Sequence, residues 1–265
     1  MKEFNTLELE IDSSVATVWL NRPEVHNAFN REMLNELTQC FKFLNKSEEI
    51  RVILLRGRGK SFSSGADLKW MFDSENKSYK KNKADSIAMA KCLKSIYSCT
   101  KPTIAIVHGA VIGGGIGILC TCDFTIAETN TFFSLSEFRV GLVPSTIMPY
   151  LLKKMNQHKL KMLMFSGKKL TSTEAHRIGL IEELYDTNAI EMKLKLFIND
   201  ILKSSPDAIN ESKALMNFLY NKSDSEKIMN KTVKSITKMK MSKSSIEGIS
   251  AYMEKRLPNW TVQIL

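Results

Sequence analysis

The sequence has no apolar run long enough to cross a bilayer. Its opening stretch, MKEFNTLELEID, lacks both the apolar core of a secretory leader and the Arg-rich pattern of a transit peptide. A cytoplasmic protein with no membrane partner is therefore expected. Cysteine is scarce, five in 265 residues, and irregularly spaced. One residue separates Cys120 from Cys122, which suits neither a zinc knuckle nor a redox pair. Cys40, Cys92, Cys99, Cys120 and Cys122 are expected to be buried free thiols, and no metal site is expected. Repeats, low-complexity linkers and Pro-rich hinges are also missing.

Charge is abundant but unbalanced. Lysine and arginine number 38 against 28 aspartates and glutamates, a net charge of +10. Lysines recur in NKSYKKNKAD, KKMNQHKLK and NKTVKSITKMKMSK. Such a surface is solvated, or it attracts a polyanionic small molecule, an acidic protein or nucleic acid. No arginine–aromatic pattern supports RNA binding, so a nucleic-acid partner is not expected.

Hydrophobic periodicity gives a coarse map. LELEIDSSVATVWLN reads as a hairpin, and RVILLRG, KPTIAIVHG and CDFTIAE read as strands. Met33, Leu34, Leu37, Phe41 and Leu44 recur at helical spacing. Residues from about 84 to 97 look helical. After Pro144, helices are expected over 146–165, 172–178, 187–203, 206–219, 223–240 and 244–255, with one strand in GLIEELY. The expectation is an α/β core over residues 1–200 and a helical region over 201–265.

VIGGGIGIL places four glycines in nine residues. It is not a dinucleotide fingerprint, because Ile118 stands where the third glycine is required. It is not a phosphate loop, because the Gly-Lys-Ser/Thr ending is missing. A helix starting near Gly114 would expose unpaired N–H groups, and glycines would let a carbonyl oxygen approach them. That is half of an oxyanion hole. SFSSGADLKW, a second small-residue loop between a strand and a helix, is the candidate for the other half.

Six ordered stretches then resemble the crotonase family, the enoyl-CoA hydratases and isomerases. They are NRPEVHNAFN, SFSSGADLKWM, KPTIAIVHGAVIGGGIGILCTCDFTIA, FSLSEFRVGLVPS, GKKLTSTEAHRIGLIEEL and GISAYMEKRLPNW. The resemblance implies a spiral of ββα units with a C-terminal helical trimerisation region, and a homotrimer or dimer of trimers. It implies an acyl-CoA thioester as substrate and no separate cofactor. Carried onto this chain, the oxyanion donors are the N–H groups of Ala66 and Gly114, and the catalytic carboxyl is Glu137. His26, Ala28, Ser64, Ala66, Asp67, Leu68, Gly114, Tyr252 and Lys255 are the implied substrate and CoA contacts. Asp123 matches a family aspartate that is structural.

One departure stands out. Typical hydratases of the family carry two glutamates, and the first of those positions is Gly117 here. Glu137 then either shuttles a proton between two carbons, as in the isomerases, or serves both the water and the α-carbon. Such a carboxyl needs an apolar pocket, for which Phe132, Phe133, Leu135 and Phe138 are candidates. Within the family the chain most resembles methylglutaconyl-CoA hydratases of leucine breakdown, a group that also tolerates glycine at the first glutamate position, so hydration of 3-methylglutaconyl-CoA is the activity the resemblance implies. The chain is less similar to dehydratases of a methylglutaryl group on an acyl carrier protein. Either substrate carries a free carboxylate, for which Arg139 and Lys69 are the candidate partners. An enoyl-CoA isomerase is the alternative enzyme, and an RNA-binding protein the alternative outside enzymes.

Overall fold

A computed structural model of the chain describes residues 3–72, 78–220, 224–262 and 264, with Leu68 and Phe72 described in backbone only. The opening alternation folds as expected. β1 (Leu7–Asp12) and β2 (Val15–Leu20) form an antiparallel hairpin that turns through Ser13 at φ +52°. Helix α1 (Arg31–Lys46) follows, then β3 (Val52–Gly57), α2 (Leu68–Phe72) and α3 (Tyr79–Tyr97). Next come β4 (Thr103–Val107), β5 (Ala110–Ile112), α4 (Gly114–Leu119), β6 (Phe124–Glu128) and β7 (Phe132–Ser134). After a 3-10 turn at Glu137–Val140 the chain forms α5 (Met148–Lys154), α6 (Gln157–Ser166), β8 (Leu170–Thr171), α7 (Ser172–Ile178) and β9 (Glu183–Tyr185). It continues as α8 (Thr187–Leu202), α9 (Pro206–Leu219), α10 (Ser225–Lys240) and α11 (Lys243–Met253). Residue 223, where the α10 helix was expected to begin, lies outside the described residues.

The strands make two sheets, ordered β1-β2-β3-β4-β6-β9 and β5-β7-β8. From β2 to β9 the large sheet is parallel. That explains why β4 is buried along its whole length and apolar from Ile104 onwards: helices cover both faces of a parallel sheet. The helix α1 buries Met33, Leu34, Leu37, Cys40, Phe41 and Leu44, and the Asn30 side chain caps its first turn. The cap contributes about 1 kcal/mol. Each buried apolar side chain contributes about 1.5–3 kcal/mol, so packing rather than capping holds α1 in place.

The chain divides into two compact units, residues 1–99 with 103–190, and 100–102 with 191–265. The division falls near the start of α8, ahead of the boundary at 200 expected from sequence. In the second unit, Lys213 donates through Nζ to the Lys101 carbonyl, and Trp260 donates through Nε1 to the Lys203 carbonyl. In the first unit, Asp123 accepts from both the N–H and the hydroxyl of Thr103 and so ties the start of β4 to the start of β6. This is the structural role expected for it.

All five cysteines are free and buried. Burial pushes the thiols of Cys92 and Cys120 up to about 12, which keeps them unreactive near neutral pH. Among the described residues, no helix is long and apolar enough to cross a membrane.

Candidate active site

The two small-residue loops leave the carboxyl ends of neighbouring parallel strands, β3 and β4. Open α/β sheets bind ligands at this end. The loops are stitched together by backbone: Ser63 N–H donates to Ala110 O, and Ile112 N–H donates to Ser63 O. A third segment, residues 22–29, locks onto the first loop. Asn27 is fully buried at φ +54°, and its side-chain amide donates to the carbonyls of Arg58 and Ser61. Its side-chain oxygen accepts from the Arg22 N–H. A left-handed, buried asparagine with its amide so fully bonded fixes the path of this segment.

The glycines each face a different neighbour. Gly113 holds φ +53° and ψ −120°, a conformation open to glycine alone. A Cβ there would come within 2.9 Å of Glu137 Oε1, so the carboxyl lies directly against this backbone. A Cβ on Gly114 would meet the Phe29 ring at 2.3 Å, and one on Gly117 would meet Ile147 Cγ2 at 2.1 Å. The run is therefore glycine for packing of side chains onto α4 as well as for access to its N–H groups.

A cavity of about 380 Å³ collects these parts. Ser64, Ala66, Gly113, Gly114 and Glu137 line it together with Phe29, Met89 and Ile147. Gly114 opens α4, so its N–H has no acceptor within the helix. Ala66 pairs with Phe29 in a bridge whose bonds use the flanking atoms, Gly65 O and Asp67 N–H. Neither the Ala66 nor the Gly114 N–H has an acceptor among the described residues. The Glu137 Oε2 is buried without a hydrogen-bond partner. Burial pushes the Glu137 carboxyl above the ordinary glutamate range, only partly offset by a bond from its own backbone. Two unpaired donors beside a carboxyl of raised proton affinity can hold a developing oxyanion and move a proton next to it.

Three sequence expectations need correction. The first is Arg139. Residues 137–140 form a 3-10 turn, in which side chains three apart share a face. Glu137 and Val140 therefore both line the cavity, while Arg139 is exposed and donates to the Ser166 carbonyl at the end of α6. The second is Lys69, which lines a separate groove with Glu32 and Glu36. The third is the apolar pocket. Phe132 packs under Lys169, and Phe138 meets Phe165 edge to face. The walls near Glu137 come instead from Met89, Val140, Leu142, Val143 and Ile147.

The remaining expected contacts scatter. Ala28 is buried and its carbonyl accepts from Arg22, while His26 faces Ser61 through Nδ1. Burial favours a neutral Asp67, but the Arg22 pair and the N–H groups of Trp70 and Lys69 outweigh it and hold its carboxyl low. Asp67 thus caps α2 rather than facing the cavity. The Leu68 side chain lies outside the described residues. Tyr252 and Lys255 are exposed in the second unit. Among the described residues no group of three metal-ligating side chains forms.

Residues 10–263 match the enoyl-CoA hydratase/isomerase family. The chain belongs to that family. It is 31% identical to the mitochondrial Delta(3,5)-Delta(2,4)-dienoyl-CoA isomerase of Mus musculus, over 91% of this chain and 77% of the mouse protein. It is 30% identical to the short-chain-enoyl-CoA hydratase of Clostridium acetobutylicum, over 81% and 82%. The crystal structure of an enoyl-CoA hydratase from Shewanella pealeana superposes with a TM-score of 0.93 at 30% identity, covering 97% of each chain. The protein is thus an enzyme of the hydratase/isomerase family with the crotonase fold.

Sequence reasoning missed Phe29, Met89 and Ile147. Only Gly117 hinted at Ile147, because a glycine where the family hydratases carry a glutamate leaves space that something must fill. That contact has a measurable consequence. Gly117→Ala should destabilise by about 1–3 kcal/mol through overpacking against Ile147. In urea denaturation, the double variant Gly117→Ala, Ile147→Ala should lose less than the sum of its single variants. Additive losses would contradict the packing.

Proposed function

We propose that this enzyme moves the double bond of an enoyl-CoA thioester, with Glu137 carrying a proton between two carbons. The observation that carries the reading is the Ile147 side chain seated against Gly117, where the two-glutamate hydratases place their first glutamate. With that space filled, Glu137 is left without a second carboxyl to orient water. Asp85 also lines the cavity, but it is paired with Arg31.

In this mechanism the thioester oxygen sits between the N–H groups of Ala66 and Gly114. Glu137 removes a proton from C2 of a 3-enoyl thioester. The electron pair moves into the thioester as a dienolate, whose oxyanion the two N–H groups stabilise. Glu137 then returns the proton to C4, and the double bond settles between C2 and C3. No atom is gained or lost. The raised proton affinity of Glu137 brings it closer to that of the carbon acid, which is what a shuttle needs.

Hydration of 3-methylglutaconyl-CoA asks for a cation, or for several hydrogen-bond donors, facing the distal carboxylate. No lysine or arginine is among the described residues of the cavity, and its walls are largely apolar. This supports a neutral acyl chain over a carboxylated one. We include assembly as a homotrimer or dimer of trimers in the proposal. Its support is the run of exposed apolar side chains in the second unit, among them Met229, Val233, Ile236 and Ile249.

The test is a product analysis by mass on three thioesters. A trans-3-enoyl-CoA should be isomerised with the highest kcat/KM, ahead of crotonyl-CoA and 3-methylglutaconyl-CoA hydration. Preferred addition of water to 3-methylglutaconyl-CoA would reject the proposal.

A further inference from the structure

We infer that Phe29 is a positioning residue that sets the separation of the two oxyanion donors. The inference rests on the oxyanion reading of Ala66 and Gly114, and it concerns a side chain that contributes no polar group. Three observations carry it. The Phe29 N–H donates to Gly65 O at 2.8 Å, and the Phe29 carbonyl accepts from the Asp67 N–H at 3.1 Å. These two bonds flank Ala66 and fix the peptide plane that bears its N–H. The same residue's ring edge rests on Gly114, with Cζ 2.3 Å from where a Cβ would stand. One residue thus grips the first donor by its backbone and abuts the second by its side chain.

Phe29 is itself anchored. It is 3% exposed and directly precedes Asn30, the N-cap of the 16-residue helix α1. The Gly65 backbone reinforces the spacing from the other side, since a Cβ there would meet Ile112 O at 2.8 Å and lie 3.6 Å from Gly114 N. The donors therefore sit on loops braced against a rigid helix. That arrangement suits donors that must be in place before charge develops. Displacement of a donor by about 1 Å is enough to cost roughly a hundredfold in rate.

Phe29→Leu keeps an apolar side chain and the backbone bonds but removes the ring edge over Gly114. Its kcat should fall by roughly ten- to a hundredfold with KM changed little. A direct readout is the infrared carbonyl stretch of bound butanoyl-CoA labelled with carbon-13 at C1. Two donors should lower that frequency in the wild type, and Phe29→Leu should lose part of the lowering. Phe29→Tyr, whose hydroxyl would project from Cζ towards Gly114, should show the same loss. Leu44→Ala, in the α1 core away from the cavity, controls for lost stability and should keep both kcat and the carbonyl shift. If Phe29→Leu retains the wild-type kcat and shift, or merely tracks Leu44→Ala at equal stability, the positioning role is wrong. A wild-type enzyme that leaves the carbonyl stretch unshifted would overturn the oxyanion reading as well.

Discussion

Glu137→Gln should reduce kcat by at least about a hundredfold, and up to about ten-thousandfold, while butanoyl-CoA still binds nearly as well as to wild type. The amide keeps the shape of the side chain but cannot carry a proton between carbons. The same variant should be more stable than wild type at neutral pH. Burial raises the proton affinity of Glu137, so the folded protein holds this proton more tightly than the unfolded chain. Below the ordinary glutamate range both states are protonated and the ionisation carries no penalty. As pH rises through the raised folded value, the buried Oε2 must ionise without a partner, and stability is lost. Glutamine carries no such penalty. Thermal unfolding should therefore show Glu137→Gln ahead of wild type at pH 7 to 8, with the gap closing in acid. A gap that is absent at neutral pH, or that grows in acid, would contradict the buried-carboxyl account. For the wild type, kcat/KM should fall on the acid side with an apparent pKa above the ordinary glutamate value.

Removing the Ala66 N–H should be the second large effect. Ala66→Pro deletes the donor, and loss of one oxyanion donor costs roughly a hundred- to a thousandfold in kcat. The bridge to Phe29 runs through Gly65 O and Asp67 N–H, so it does not use the deleted group. An amide-to-ester exchange at residue 66 removes the same N–H without a proline ring and separates the donor from any strain. Activity within a few-fold of wild type in the folded ester variant would remove Ala66 from the mechanism.

The loops were legible in the sequence because small residues recorded them. The helical spacing of Met33, Leu34, Leu37, Phe41 and Leu44 gave α1 outright, since all five are buried on one face. Glu137 was legible only through the SLSEF motif. Its true neighbours come from residues 89, 140, 142, 143 and 147, and no local pattern joins them. Arg139 went astray for a geometric reason. In an extended segment residues two apart share a face. The 3-10 turn makes residues three apart do so, which puts Val140 beside Glu137 and sends Arg139 to α6. Ile147 and Phe29 are tertiary contacts to backbone, and a sequence marks such contacts only by the glycine they require. Gly117 and Gly114 were those marks.

One measurement reaches the central claim most directly. A 3-enoyl-CoA carrying two deuterium atoms at C2 is given to the enzyme in ordinary water, and the product is read by mass and NMR. A single carboxyl that carries the proton between carbons should deliver deuterium from C2 to C4 in the earliest 2-enoyl-CoA formed, and Glu137→Gln should abolish the transfer. No turnover of the 3-enoyl-CoA by an enzyme that hydrates crotonyl-CoA, or a 2-enoyl-CoA whose new C4 hydrogen comes only from solvent from the start, would contradict it.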